Sequence, residues 1–271
     1  MIKSDFLARV AGGFIYYRWH PEVALRYLPI VDMIKSIGLK VSVLEVGSDG
    51  LGITPYLKSP IVGADIHFNR PFHPLLKRVK ADATRLPFDE HSFDVVISVD
   101  MIEHLDRYKR KKAIEEMARV AKRLIVIAVP SGAHAQAEDA LLYKEYKKIH
   151  KEGYQFYDEQ IYFGLPKTDD MKKIIESSLS KLGNEFHLSV FGNETIALHR
   201  FLMRGWMKKN PLTQLFFRKV LLLAIPFMRH LNTEPTYRKI FQVTISKAAF
   251  VNNMIGSRLN DAAQRAVILN N

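Results

Sequence analysis

The 271-residue chain contains no cysteine. That absence excludes disulfide bridges, thiolate-bound zinc and any thiol nucleophile, and it suits a reducing compartment. Long hydrophobic runs are missing too. The longest, Val220 to Met228, is too short to span a bilayer and contains Pro226. No His-x-x-x-His or Glu-x-x-His pair is present, so no metal site is expected. The amino-terminal "MIKSDFLARVAGGFIYYRWH" is basic and briefly apolar, but Arg18, Trp19 and His20 stand where a signal peptide carries small residues. A helix packed on the domain is expected there. A cytoplasmic protein, at most peripheral at a membrane, is the resulting expectation. Repeats and low-complexity tracts are absent as well.

Acids are scarce in one region. Between residues 195 and 240, Arg200, Arg204, Lys208, Lys209, Arg218, Lys219, Arg229, Arg238 and Lys239 face only Glu234, a net +8 of the chain's +12. Such a segment prefers anionic company: nucleic acid, acidic lipid or a phosphorylated substrate. Arg200, Arg204 and Lys208 recur every four residues and so share one helical face. The remaining composition, 48% hydrophobic and 25% charged, is that of an ordinary globular domain.

Strand and helix patterns alternate along the first half. "KVSVLEVG", "PIVGADI", "RVKADA", "SFDVVISVD" and "RLIVIAVPSG" read as buried strands. "HPEVALRYLPIVDMIKSIG" reads as a helix with Pro21 in its first turn and Gly38 at its end. "ITPYLK" is a short helix, and "DRYKRKKAIEEMARVAK" an amphipathic one with Ile114, Met117, Ala118 and Ala121 inward. This alternation predicts a doubly wound α/β sheet, mostly parallel and about seven-stranded, with ligands outside the carboxyl ends of the strands. Further on, "AEDALLYKEYKKIHKE" and "DDMKKIIESSLSKLG" read as helices and "GYQFYDEQIYFGLPKTDD" as an aromatic loop. "EFHLSVFGN" and "RKIFQVTISK" are the last strands, expected antiparallel, with the basic helical segment between them. The expected organisation is one domain: a helical segment 1–40, a cofactor-binding core 41–133, a substrate-side half 134–191, the basic insertion 192–236, and the last strand and tail 237–271.

The loop "VLEVGSDGLG" raises a question of ligand. Its glycines, Gly47, Gly50 and Gly52, are spaced G-x-x-G-x-G, and Asp49 stands where a dinucleotide fingerprint needs its second glycine. A carboxylate there would repel a pyrophosphate at the helix N-terminus. S-adenosylmethionine carries no phosphate, and its sulfonium and ammonium are cationic, so an acid is harmless or helpful.

Here the sequence resembles the class I S-adenosylmethionine-dependent methyltransferases, in particular their small-molecule "type 11" branch. "VLEVGSDGLG" is similar to their first motif and "GADI" to their second. "KADATRLPFDEHSFDVVISVDMIEHL" is similar to the remainder. The match covers roughly residues 41–130, with Asp49 in place of a glycine. The resemblance implies S-adenosyl-L-methionine as cofactor. Gly47 then lets the backbone approach it, Asp65 accepts its ribose hydroxyls, Asp82 with Ala83 brackets the adenine, and Glu45 reaches the methionine ammonium. Ser48, Asp49 and Gly50 in the loop, Ile66 after Asp65, and Ser98 near the end of strand four complete the expected contacts. Acids at strand ends also cap helices, which is the alternative for Asp49, Asp65 and Asp82.

Asp100, Glu103 and His104 fall where strand four meets the active-site face. His104, with Asp100, is the candidate catalytic group, either as general base or as an orienting residue. His134, His150 and Tyr154 are candidates for a substrate wall. The acceptor is expected to be a small molecule, a glycan or a lipid-linked intermediate, with an anionic membrane as a partner through 195–240. Two other readings stay open: a non-catalytic basic nucleic-acid-binding protein on this fold, and a short-chain dehydrogenase built on Ser131, Tyr143 and Lys147.

Overall fold

A computed structural model describes residues 20–38, 40–183 and 185–246. The helix expected before residue 20 and the tail after residue 246 lie outside the described residues. Seven strands form one sheet in the order β3-β2-β1-β4-β5-β7-β6. They are β1 Val43–Val46, β2 Ile61–Asp65, β3 Leu76–Lys80, β4 Phe93–Val99, β5 Ala121–Pro130, β6 Glu185–Thr195 and β7 Thr236–Ser246. The first five pair in parallel. β7 runs against both its neighbours, β5 and β6. The expected antiparallel pairing of the last two strands is present, and β7 alone opposes the direction of the sheet.

Nine helices accompany the sheet among the described residues: α1 Pro21–Ile37, α2 Thr54–Leu57, α3 Arg107–Val120, α4 Ala133–His150, α5 Gln155–Phe163, α6 Thr168–Lys181, α7 Ile196–Met207, α8 Pro211–Arg218 and α9 Ile225–Met228. Short 3-10 turns occupy Ile102–His104 and Val220–Ala224. Alternation along β4 sends Val95, Ile97 and Val99 to one face, where α1, α7 and α9 cover them, and Val96 to the other, under α3 and α6. Both faces are apolar because both are covered.

Local sequence explains most boundaries. Asp106 caps α3 by accepting the Lys109 N–H at 2.9 Å. Pro29 inside α1 removes one donor from the helical ladder. The carbonyl it leaves, Leu25 O, accepts instead from Asn193 Nδ2 of β6 at 3.3 Å, so the defect ties α1 to the sheet.

Three expectations change. The aromatic stretch 155–163 is a helix, not a loop. Tyr157 and Gln160 are buried at helical spacing, but Phe156, Ile161 and Tyr162 stay largely exposed, so apolar residues on both sides blur the period. Ala121 belongs to β5 rather than to the preceding helix, although it stays in the same core. The basic face of α7 also takes a different role. Arg200 pairs with Glu138 and Arg204 with Glu145, both on α4. These cations clamp two helices together.

Candidate active site

The glycine loop crosses the carboxyl end of β1. Beneath it lies Glu45, fully buried, accepting from the Tyr27 hydroxyl at 2.8 Å and the Ile53 N–H at 2.7 Å. Burial raises its pKa to about 7 despite those two donors. Both Glu45 oxygens are engaged inside the protein, where they brace the loop. Gly50 passes so close to the following segment that a Cβ would lie 2.0 Å from the Asn69 carbonyl oxygen. A Cβ on Gly47 would meet the Met101 side chain at 2.3 Å, and its φ of 82° is left-handed as well. Ser48 is buried against Gly63, its hydroxyl donating to the Asp49 carbonyl at 3.2 Å.

Asp49 adopts a left-handed φ of 45° and has a structural use. Its carboxylate accepts the Asn69 N–H at 2.5 Å, while its own N–H donates to Asp65 Oδ2 at 2.8 Å. Asp65 Oδ1 accepts the His67 N–H at 3.1 Å. The two acids thus stitch the loop to the end of β2. Ile66 is 65% exposed beside them. Asp82 folds back on Thr84, accepting its N–H and hydroxyl at 2.8 Å each, and these bonds lower its pKa. Ala83 is partly buried against the core, and Ser98 lies buried in β4, its hydroxyl without a hydrogen-bond partner.

The carboxyl ends of β1 to β4 therefore present Asp49, Asp65, Asp82 and Asp100. Such a donor set repels a pyrophosphate and fits a cationic nucleoside. Its chemistry suits S-adenosylmethionine.

Next to this edge a cavity of about 420 Å³ opens, walled by Tyr154, Phe156, Tyr157, Met203, Trp206 and Tyr237. Its polar floor is an ion-pair network. Asp100, at a left-handed φ of 48°, takes Arg238 Nε and Nη2 at 2.6 Å each and Arg26 Nη1 at 3.0 Å. Burial would raise the Asp100 pKa, but Arg238 and Arg26 outweigh it and hold the carboxylate below its usual range. Arg238 also donates to Glu194 at 3.2 Å and to Glu22 at 3.4 Å. Glu22, Glu194 and His199 place one donor atom each within 4.8 Å of one another. The Arg238 guanidinium already bridges the two carboxylates, so it supplies the cation there.

His104 faces the cavity from the 3-10 turn after β4. Its Nδ1 lies 3.0 Å from Glu159 Oε2 on α5, and Phe156 packs edge-on against its ring at 5.2 Å. Burial lowers the His104 pKa, with Glu159 opposing. Glu103, fully buried, has no hydrogen-bond partner, and its oxygen lies 3.8 Å from His104 Nε2. Burial first, then the Asp100 charge, raises the Glu103 pKa well above normal.

The structure brings Asp100, His104 and Tyr154 into one cavity. His150 stacks on Tyr146 at 4.3 Å outside it, and His134 is exposed. The dehydrogenase arrangement does not assemble: Ser131 bonds to the Pro166 carbonyl at 2.8 Å, while Tyr143 bonds to Asp158. Sequence reasoning missed Glu22, Arg26, Glu159, Glu194 and His199, which come from α1, α5, β6 and α7. Arg238 was visible only as one more charge in a basic stretch.

Residues 45–127 match the family described as "Methyltransferase domain". A curated relative, the tRNA (carboxymethyluridine(34)-5-O)-methyltransferase of Arabidopsis thaliana, is 35% identical over 103 residues, covering 35% of this chain and 24% of that protein. The chain thus matches about a quarter of that relative's length. Among solved structures, Haemonchus contortus phosphoethanolamine N-methyltransferase 2, with phosphomonomethylethanolamine and S-adenosylhomocysteine, has a TM-score of 0.48 at 14% identity, over 81% of this chain and 53% of that one. The Synechocystis magnesium protoporphyrin IX methyltransferase with bound S-adenosylhomocysteine has a TM-score of 0.44 at 13% identity, over 80% and 81%.

Proposed function

We propose that the chain, whose residues 45–127 match the methyltransferase-domain family, is a class I S-adenosylmethionine-dependent methyltransferase acting on a small-molecule or lipid-linked acceptor held in the aromatic cavity. The observation that carries this is the aromatic-walled cavity at the carboxyl edge of β4, with His104 in its lining. S-adenosylmethionine supplies a methyl group on a sulfonium, an electrophile that needs chiefly an aligned nucleophile. Asp65, Asp82 and the backbone around Gly47 and Gly50 would hold it. His104 accepts the proton of the acceptor's oxygen or nitrogen. Burial lowers its pKa, which favours the unprotonated ring that such a step requires. Glu159 lies 3.0 Å from Nδ1 of the ring, and the Arg26–Asp100–Arg238 network gives the site a charged floor.

Calorimetry with S-adenosylhomocysteine and with NAD, side by side, tests the cofactor. Saturable NAD binding without binding of the nucleoside overturns the reading. Methyl-labelled donor incubated with lipid and aqueous extracts then identifies the acceptor phase. His104→Gln should lower transfer by roughly 10²–10⁴-fold and leave S-adenosylhomocysteine affinity unchanged.

A second reading, methylation of RNA, is favoured by the Arabidopsis relative and the net charge of +12. Against it, Arg200, Arg204 and Arg229 are already paired with carboxylates. Label appearing in transfer RNA rather than in an extract would decide for it. Steeply salt-dependent RNA binding with no affinity for the nucleoside would instead indicate a non-catalytic binding protein.

A further inference from the structure

We propose that the segment from α8 to α9 is a docking face for an anionic lipid surface, laid in the plane of the interface beside the mouth of the cavity. Pro211–Met228 is 18 residues with mean hydropathy 1.3, long and apolar enough by composition to cross a membrane, yet only 17% of it is buried. It is not one straight helix. α8 ends at Arg218, a 3-10 turn covers Val220–Ala224, and α9 begins again at Ile225.

One side of this segment is already used. Ile225 and Met228 are buried in the core under α1, with Phe217, Leu221 and Leu222 packed beside them. An ordinary surface helix would turn polar residues outward from such a contact. Here the outward positions are Leu212 and Phe216 on α8, Val220 and Leu223 in the 3-10 turn and Phe227 on α9, a succession of large exposed apolar side chains. Leu212 is 77% exposed, Leu223 81% and Phe227 79%. A run of large apolar side chains in water marks an interaction surface.

Charge selects the occupant. No acidic residue occurs between Glu194 and Glu234, while Arg200, Arg204, Lys208, Lys209, Arg218, Lys219 and Arg229 do. Although Arg200, Arg204 and Arg229 have carboxylate partners, the exposed Lys208 and Lys209 flank the start of the run. Apolar insertion with a cationic rim is the chemistry of an in-plane segment on acidic headgroups. A second copy of the chain would bring two such positive regions together, which disfavours self-association. Arg218 of α8 and Trp206 of α7 both line the cavity, so a bilayer under the run lies next to its entrance. This deepens the lipid-linked reading of the acceptor, and vesicle binding can be measured without any methyl transfer.

Flotation with phosphatidylglycerol/phosphatidylcholine vesicles, against pure phosphatidylcholine, tests the face, with S-adenosylhomocysteine affinity measured on the same samples. The wild-type chain should bind acidic vesicles at least about tenfold more tightly than neutral ones, and less tightly at high salt. Leu223→Asp with Phe227→Asp should lose binding by about tenfold or more, with unchanged nucleoside affinity and melting temperature. Lys208→Gln with Lys209→Gln should weaken binding to acidic vesicles alone. Failure to bind acidic vesicles at low salt, or unchanged binding by the Asp variant, overturns the proposal. So does a wild-type dimer that the Asp variant dissociates, or preference for an RNA oligonucleotide over the vesicles. If nucleoside binding persists in those cases, the methyltransferase reading stands without the membrane.

Discussion

The two halves of the sheet use charge in opposite ways. From β1 to β3 the carboxyl edge is acidic, and its carboxylates hold backbone N–H groups: Asp49 takes Asn69, Asp65 takes Asp49 and His67, and Asp82 takes Thr84. These bonds are local, between residues at most 20 apart in sequence. On the β7 side the edge is built from arginines and aromatic rings, and its bonds cross the chain, Arg238 reaching Asp100 over 138 residues and Glu22 over 216. A local acidic edge fixes the glycine loop through neighbours in sequence. A long-range ionic floor closes a cavity only when the whole domain has folded.

The contrast predicts that the largest effect comes from breaking the floor. Arg238→Met removes the cation shared by Asp100, Glu194 and Glu22, and an uncompensated buried charge of this kind costs about 3–5 kcal/mol. Denaturant titration should show that loss, or fail to recover a folded protein. Removing Asp65 should cost far less stability.

The floor should also be acid-sensitive. Burial pushes the Glu22 pKa up, but Arg26 and Arg238 outweigh it and bring it down to about 2. A carboxyl whose folded pKa lies below its unfolded value contributes stability above about pH 4.5, which is lost as pH falls toward 2. On the order of 3 kcal/mol is therefore at stake over that window. Glu22→Gln should flatten the acid limb of the stability curve there. A variant with the same limb as wild type would place the acid sensitivity elsewhere.

The acidic edge is tested by Asp65→Ala. Loss of a carboxylate that serves the ribose should weaken S-adenosylhomocysteine binding by roughly one to two decades, about 1.5–3 kcal/mol. Its bonds to Asp49 and His67 mean that the melting temperature falls as well. If only the melting temperature moves, Asp65 braces the loop and does not touch the nucleoside.

Asp49→Gly should have the smallest effect. The Asn69 bond is lost, but a left-handed backbone is easier for glycine, so the net change is within about 1 kcal/mol. Nucleoside affinity should stay within about tenfold of wild type. Loss of all binding would show that the Asn69 segment, and not only the loop, shapes the site.

Most of the fold was legible. β1, β2, β4 and β5 declare themselves as apolar, β-branched runs, because strands covered on both faces have no polar side. α3 and α6 declare themselves by one apolar stripe each. α5 was not legible, because its exposed face is as aromatic as its buried one. Of the site, the residues within the β1–β4 motifs could be read, including His104 and Asp100. Glu159, which contacts His104, could not, since nothing near it in sequence distinguishes it from a surface acid.

The sequence by itself determined the α/β alternation, the glycine loop with its acid, and the exclusion of thiol chemistry, because these depend on residue type and short-range spacing. Only the tertiary structure decided what the charges do. The regular basic face of Arg200 and Arg204 became a clamp on α4, and Arg238 became the buried centre of an ionic floor. Periodicity shows which residues share a face, but an ion pair depends on where a second, distant element packs. The apolar character of the segment from Leu212 to Phe227 was legible, and an interfacial role was expected within 195–240. Only packing revealed that the other side of that segment was already covered, leaving these side chains to face water.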